Sequence, residues 1–179
     1  EKDDFLNAID RIIGGLERKN KIITPQEKKT IAYHEAGHAT VSWVLEHANP
    51  LIKVTIIPRG KALGAAWYLP EERQITTKEQ MLDEMASILG GRASELMNFG
   101  MVSTGALNDL ERVTKQAYAM VAYYGMSEQL GNRSFYDSTG QADMALTKPY
   151  GEMTAQQIDD EVKKLIDGAF ARALETLEK

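Results

Sequence analysis

The most constraining feature of this sequence is the stretch Tyr33–Ala39, which contains His34-Glu35-Ala36-Gly37-His38. On a helix, residues four positions apart lie one above the other on the same face. Two stacked imidazoles can both reach a single Zn²⁺ at about 2.0–2.1 Å. A glutamate beside the first histidine can take a proton from a water molecule at the metal. The motif therefore predicts a hydrolytic zinc site on a helix.

The residues around the motif favour a buried helix over a surface helix with two unrelated histidines. Gly37 in the middle of a helix costs about 1 kcal/mol relative to alanine, so we expect something to lie close against the helix backbone there. The flanking residues are apolar, as in a helix that packs into a core: they are Ile31, Ala32, Ala39, Val41, Trp43, Val44 and Leu45.

Composition narrows the class of protein and the choice of metal ligands. The 179 residues suffice for one domain with a real core, and 43% hydrophobic with 26% charged residues indicates a globular chain. The formal net charge of −5 argues against general nucleic-acid binding. The absence of cysteine removes thiolate ligands, so a zinc site must use His, Asp or Glu. It also excludes the deformylases that share the His-Glu-x-x-His motif, whose third ligand is a cysteine.

The sequence carries no run of about 18 apolar residues and no recognisable signal peptide. The chain begins at Glu1 rather than at a methionine. We therefore expect a soluble fragment of a longer protein, and a membrane anchor elsewhere in that protein is compatible with the sequence.

Periodicity and capping signals predict a mostly α-helical domain with a small β-sheet beside the His-Glu-x-x-His helix. Capping boxes at Thr24 and Thr77 predict helices over 25–47 and 78–99. Asn108 and Thr154 are the expected N-caps of helices over 109–124 and 155–177. The remaining predictions are a short amphipathic helix over 4–18, a polar linker at 19–21, strands over 51–57 and 63–69 joined by a turn at 58–61, and a long loop over 126–153.

The second predicted strand has two interpretations that the residues alone leave open. Its small side chains leave room for another backbone, and an exposed sheet edge binds an extended peptide through main-chain hydrogen bonds. The alternative is an ordinary hairpin without a ligand. The residues of this candidate substrate-binding edge are Leu63, Gly64, Ala65, Ala66 and Trp67.

A hydrolytic zinc site needs a third protein ligand, and His47 is the only other histidine. Nine residues beyond His38, it is expected on the opposite face of the same helix. The metzincin pattern fails as well, because Val41 and Val44 stand where its glycine and histidine would be. The third ligand should then be a carboxylate.

Two carboxylates are candidates for this role. Glu95 lies on a predicted helix after a double glycine, and Asp109 opens a predicted helix after a glycine-containing loop. Asp109 is favoured, because a loop can deliver a ligand onto a rigid element. The helix dipole alone also explains an aspartate in a first turn, so residue chemistry leaves both candidates open.

Taken together, several stretches resemble the peptidase domain of the FtsH-type AAA+ zinc metalloproteases, which are membrane-anchored and ATP-dependent. The matching segments occur in the family's order and cover essentially the whole chain: residues 4–18, 34–38, 90–95 and 103–110. Residues 58–64 and 67–70 are most similar to the mitochondrial matrix-facing branch and related bacterial members.

The resemblance implies a role for each candidate site residue. It implies that His34, His38 and Asp109 bind one zinc ion per chain, that Glu35 is the general base, and that Glu95 orients a ligand. It also implies that the strand from Leu63 to Leu69 docks the substrate. Leu107 departs from the family pattern, which more often has a small residue there, and this leaves the packing of the local loop open.

The resemblance further implies properties of a longer protein. Residues 1–23 would link a preceding ATPase module to a protease domain over 24–179. That protein would be a homo-hexamer that degrades unfolded or misassembled proteins. It would be anchored in a bacterial inner membrane with the protease domain in the cytoplasm, or in the mitochondrial inner membrane. The chain itself lacks the Gly-x-x-x-x-Gly-Lys-Ser/Thr motif, so ATP would bind only in the ATPase module.

Two rival interpretations remain at this point. One is a ring-forming assembly module of the same family that has lost catalysis, although the complete motif argues against it. The other is a His-Glu-x-x-His enzyme that acts on a different class of substrate.

Overall fold

The computed structural model describes residues 8, 11–12, 23–58, 64–69, 74–137 and 148–179. Over these residues the structure is mostly helical with one small sheet, and this predicted fold class is confirmed. The elements in chain order are helix α1 (Pro25–Val44), strands β1 (Leu51–Thr55) and β2 (Ala65–Tyr68), helix α2 (Lys78–Phe99), a 3-10 turn (Thr104–Ala106), helix α3 (Leu107–Ala122) and helix α4 (Glu152–Leu177).

The two predicted capping boxes are present and begin helices α1 and α2. The Thr24 hydroxyl accepts the Glu27 N–H at 3.2 Å, and the Glu27 carboxylate accepts the Thr24 N–H at 2.9 Å. Gln80 and Thr77 make the same reciprocal pair at 3.3 and 2.9 Å. Each box satisfies two N–H groups that the first helical turn leaves without a partner.

Helix α3 begins earlier than predicted and without a side-chain cap. The 3-10 turn runs directly into the helix at Leu107, so the N-cap is Ala106 and not Asn108. The side-chain cap lies one turn further back, where the Ser103 hydroxyl accepts the Gly105 N–H at 3.1 Å. The helix ends at Ala122 rather than at residue 124.

The other helix ends also differ from the prediction. Helix α4 begins at Glu152 with Gly151 as its N-cap, so Thr154 lies inside the first turn, where Glu152 complements the helix dipole. Helix α1 ends at Val44, because the backbone becomes extended at Leu45. His47 therefore lies beyond the helix and not on its opposite face.

Helix α2 is the central element and packs against α1, α3 and α4. At its crossing with α1, two glycines bring the backbones together. A Cβ atom at Gly37 would lie 2.2 Å from the Gly90 carbonyl oxygen, and one at Gly90 would lie 2.6 Å from the Gly37 carbonyl oxygen. The close contact expected against the backbone at Gly37 is thus present, and the neighbour is the backbone of α2. The core beside this crossing is lined by Val41, Ala86, Ala93 and Ala173, and a second cluster between α2, α3 and α4 contains Met81, Met85, Ile88, Leu89, Val113, Ala117, Met120 and Ala169.

An ion pair links helices α2 and α4. The Asp83 carboxylate on α2 is buried and lies 2.6 Å from the Arg172 guanidinium on α4. Its second oxygen accepts the His47 N–H at 3.2 Å. This contact gives His47 a structural role after the end of α1.

The sheet is an antiparallel pair beside α1. Thr55 pairs with Ala65 and Leu51 with Tyr68, and the register shifts between Leu51 and Lys53. Both strands are shorter than predicted, and all four residues of β2 are half-buried. Leu63 lies outside the described residues, as do the turn residues 59–61, the linker 19–21 and most of the predicted helix 4–18, of which Ala8, Arg11 and Ile12 are helical. None of the described helices combines the length and the apolar character needed to cross a membrane.

Candidate metal centre

Three side chains converge where α1, α2 and α3 meet. His34 Nε2 lies 3.1 Å from His38 Nε2, and Asp109 Oδ2 lies 3.2 and 3.5 Å from these two nitrogens. A tetrahedral zinc site with bonds of about 2.0–2.1 Å has ligand–ligand edges of about 3.3–3.4 Å. The three observed edges lie close to this value, so the donor set fits zinc. Among the described residues, no other group of three or more His, Asp or Glu side chains has such an arrangement.

Hydrogen bonds on the opposite ring nitrogens orient both histidines. His34 Nδ1 lies 2.7 Å from Glu95 Oε1, and His38 Nδ1 lies 2.9 Å from the Ser87 carbonyl oxygen. Because a carbonyl and a carboxylate accept hydrogen bonds, each Nδ1 donates one, and each Nε2 can offer a lone pair to a metal ion that replaces any proton there. Both rings are buried. The pair is therefore arranged to bind a cation through Nε2.

Glu95 also anchors the loop that delivers Asp109. Its Oε2 accepts the Ser103 N–H at 2.6 Å, and its Oε1 accepts the Ser103 hydroxyl at 3.0 Å. Ser103 then caps the 3-10 turn, and Asp109 lies in the first turn of α3 that follows. Sequence reasoning missed Ser103, whose only signal was its place before a Thr-Gly turn.

The two candidate third ligands occupy different sides of His34. Asp109 faces the Nε2 atoms of both histidines, whereas Glu95 contacts the Nδ1 side of His34. The structure thus brings Asp109, and not Glu95, into the converging group. His47 is not part of that group.

Burial and the neighbouring rings set the charges of the site. Burial raises the pKa of Glu35, against the opposing effect of His38 and His34. Burial also disfavours ionised Asp109, but hydrogen bonds with His34 and His38 outweigh it and hold the pKa of Asp109 below its usual range. Burial would lower the pKa of His34, yet its bonds to Asp109 and Glu95 raise it overall. Of these three shifts, only that of Asp109 favours a negative charge, and an ionised carboxylate facing two imidazole nitrogens suits a divalent cation.

Glu35 lies against the beginning of strand β2. A Cβ atom at Gly64 would be 2.6 Å from Glu35 Oε1 and 2.9 Å from its carboxyl carbon. Gly64 thus leaves the space that the Glu35 carboxylate needs. Ala65, Ala66 and Trp67 continue along β2, and within the described residues β2 pairs with β1 alone, so its other edge has no strand partner there.

The unusual Leu107 does not disturb this arrangement. Its side chain is 74% exposed, on the first residue of α3 and two positions before Asp109. The loop therefore packs through Ala106, which is buried, and Leu107 points away from the core.

Comparison with known proteins gives a consistent result over nearly the whole chain. The sequence pattern of Peptidase family M41 matches residues 21–179. The chain is 68% identical over 173 residues to the ATP-dependent zinc metalloprotease FtsH of Parabacteroides distasonis, a match that covers 97% of this chain and 25% of that protein.

Other relatives come from bacteria and from mitochondria. FtsH of Karelsulcia muelleri is 56% identical over 179 residues, covering all of this chain and 29% of that protein. The mouse mitochondrial inner membrane m-AAA protease component AFG3L2 is 56% identical over 173 residues, covering 97% of this chain and 21% of that protein. The chain thus spans between about a fifth and three tenths of the length of these curated relatives.

Proposed function

This chain belongs to peptidase family M41, and we propose that it cleaves peptide bonds inside polypeptides by zinc-dependent hydrolysis. Family membership confirms the metalloprotease class that was predicted from the sequence. The observation that carries the finer proposal is the convergence of His34 Nε2, His38 Nε2 and Asp109 Oδ2 within 3.5 Å of one another, beside the buried Glu35.

In this proposal His34, His38 and Asp109 hold the zinc ion and Glu35 is the general base. A zinc ion held by these residues would supply a Lewis acid, which lowers the pKa of water and polarises a carbonyl group. The Glu35 carboxylate takes a proton from the attacking water and later gives it to the leaving amine. Burial raises the pKa of Glu35, which makes it a stronger base than an exposed glutamate.

Glu95 is proposed to orient the metal ligands and not to bind the metal. It holds His34 through Nδ1 and, through Ser103, the loop before Asp109. Such outer partners fix the direction of a ligand and increase its basicity.

The substrate main chain is proposed to bind along the edge formed by Ala65, Ala66 and Trp67 of β2 and by Leu63 and Gly64, which precede this strand. The support for this proposal is the contact between Gly64 and the Glu35 carboxylate, which places the start of β2 beside the proposed base. A peptide added along this edge would pass close to Glu35.

For the longer protein, the names of the relatives support ATP dependence and a membrane location, and the hexamer is what the family resemblance implies. We propose an ATP-dependent, membrane-anchored homo-hexamer that acts on unfolded polypeptides, with the ATPase module and the anchor outside this chain. The relatives named FtsH and the mitochondrial inner membrane protease component favour a bacterial or mitochondrial inner membrane location.

The central test compares Glu35→Gln with the wild-type chain. The substituted amide keeps the size of the side chain but cannot accept the proton, so we expect casein cleavage to fall by at least about 100-fold. Zinc content, measured by elemental analysis after dialysis, should stay at one ion per chain in the wild type and in the variant. A variant that cleaves casein at the wild-type rate would contradict the role of Glu35.

Asp109→Ala tests the third ligand separately. This variant should lose zinc, whereas retained zinc would contradict the ligand role of Asp109 and favour Glu95 instead. A wild-type chain that binds zinc but never cleaves peptides would support the non-catalytic assembly module.

A further inference from the structure

Gly91 of helix α2 lies directly against the two histidines of the candidate centre. A Cβ atom at this position would be 2.6 Å from His34 Nε2, 2.6 Å from His38 Nε2 and 2.7 Å from His34 Cδ2. These distances are well below the normal contact of about 3.5 Å between nonbonded heavy atoms. The backbone of α2 therefore covers the converging nitrogens so closely that any side chain would occupy their space.

The neighbouring glycine has a different environment, although the two are adjacent in sequence. A Cβ atom at Gly90 would meet the backbone carbonyl of Gly37, and a backbone in a packed helix cannot yield without moving the helix. A Cβ atom at Gly91 would meet the tips of two side chains, which can rotate. Substitution at Gly90 should therefore affect the packing of the fold, and substitution at Gly91 should affect the centre.

The rings cannot rotate without a loss, because each is held on its far side. His34 Nδ1 is fixed by Glu95 and His38 Nδ1 by the Ser87 carbonyl. The backbone at Gly91 lies against the Nε2 side of both rings. Any rotation that makes room for a methyl group would lengthen these hydrogen bonds and turn the Nε2 lone pairs away from their common point.

We propose that Gly91 is a positioning residue of the metal centre, whose missing side chain lets helix α2 lie against the paired Nε2 atoms of His34 and His38. This inference rests on the proposed function, since it takes both histidines to be zinc ligands. It assigns separate roles to the double glycine: Gly90 permits the crossing of α1 and α2, and Gly91 gives the ligand nitrogens their space.

The test measures zinc affinity and metal-free stability in the same variants. Wild type, Gly91→Ala and Gly168→Ala are compared in the 179-residue chain. Gly168 is the matched control, because it lies in helix α4 with nothing within 4 Å of a Cβ atom. Zinc dissociation constants are measured by competition with a chromophoric chelator, and melting temperatures are measured in EDTA.

We expect Gly91→Ala to weaken zinc binding by about 100-fold, as displaced ligand orientation does in other metal sites. Its melting temperature in EDTA should stay close to that of the wild type, because alanine favours the helix more than glycine does. Gly168→Ala should bind zinc as the wild type does. This combination of results would support the proposal.

Wild-type zinc affinity in Gly91→Ala would overturn the role of Gly91 and leave the proposed function intact. A wild-type chain that binds no zinc would contradict both.

If Gly91→Ala melts at a much lower temperature in EDTA, the same substitution is repeated in a background that carries both His34→Ala and His38→Ala. A smaller loss of melting temperature there would support a clash with the two rings. An equal loss would locate the clash elsewhere and overturn the proposal.

Discussion

The candidate site has a helical wall, formed by α1 and α2, and a sheet wall, formed by β2, and the two walls are packed differently. On the helical side, α1 and α2 touch through the backbones of Gly37 and Gly90, and the histidines between them are buried and hydrogen-bonded. On the sheet side, β2 has four half-buried residues in a two-stranded pair with a register shift. Close packing holds ligands in one geometry, whereas a short sheet with few buried contacts opens and shifts more easily.

This difference in packing matches the two tasks of the proposed enzyme, which are to hold a metal ion and to bind a substrate chain. The metal needs fixed distances, and the helical wall provides them through contacts that have no room to vary. A substrate chain of changing sequence needs a surface that adapts, and main-chain pairing along β2 would provide it. Substitutions in the two walls should therefore have different effects on stability, metal binding and cleavage.

The largest effect is expected from Gly37→Ala in the helical wall. A Cβ atom there would lie 2.2 Å from the Gly90 carbonyl oxygen and 2.5 Å from the Ser94 Cβ. Relief requires the helices to separate, so the free energy of unfolding should fall by about 3 kcal/mol or more. Urea denaturation in EDTA measures this loss. Gly168→Ala, the control, should instead gain up to about 1 kcal/mol. An unchanged stability of Gly37→Ala would show that the crossing is not rigid.

The next effect is expected from Glu95→Gln, which alters the ligand support without removing a proposed ligand. The amide is neutral and has one oxygen instead of two, so it can accept fewer hydrogen bonds than the carboxylate. His34 and the loop at Ser103 therefore lose part of their support. Zinc affinity should fall by about 10- to 100-fold. Competition with a chelator measures it, and Glu128→Gln serves as an exposed control. A complete loss of zinc would instead indicate that Glu95 is itself a ligand.

In the sheet wall, Gly64→Ala should reduce cleavage but not metal binding. The added methyl group would displace the Glu35 carboxylate, whose Oε1 is 2.6 Å from the Cβ position. A displacement of about 1 Å in a catalytic group costs up to about 100-fold in rate, so we expect a fall in kcat of about 10-fold or more. Peptide cleavage and zinc content are measured together. Loss of zinc in this variant would contradict the separation between the two walls.

The smallest effect is expected from Leu107→Ala. Because the side chain is 74% exposed, its removal should change the free energy of unfolding by less than about 0.5 kcal/mol. Zinc affinity should also be unchanged. A larger loss in urea denaturation would show that Leu107 supports the loop before Asp109.

The sequence predicted best what depends on local chemistry. The capping boxes at Thr24 and Thr77 are both formed, because each needs only four consecutive residues. The close approach at Gly37 followed from the cost of a glycine inside a helix. The histidine pair followed from the helical period, and its two Nε2 atoms do face a common point.

The sequence could not decide what depends on packing between elements. Spacing alone left Asp109 and Glu95 open, because only the arrangement of α1, α2 and α3 determines which carboxylate faces Nε2. The starts of α3 and α4 were wrong by two and three residues, since a 3-10 turn and an uncapped glycine replaced the expected side-chain caps. Ser103 was missed because its partner Glu95 lies on another element.

His34 and Asp109 are separated by 75 positions along the chain, yet their side chains lie 3.2 Å apart. A metal ion shared by them would act as a reversible cross-link that closes a long loop and joins α1 to α3. Free zinc at about 1,000 times its dissociation constant would add about 4 kcal/mol to the free energy of unfolding. The fraction of chains that stay folded would then depend on the surrounding zinc concentration. A chelator would reduce the stability of the fold as well as peptide cleavage.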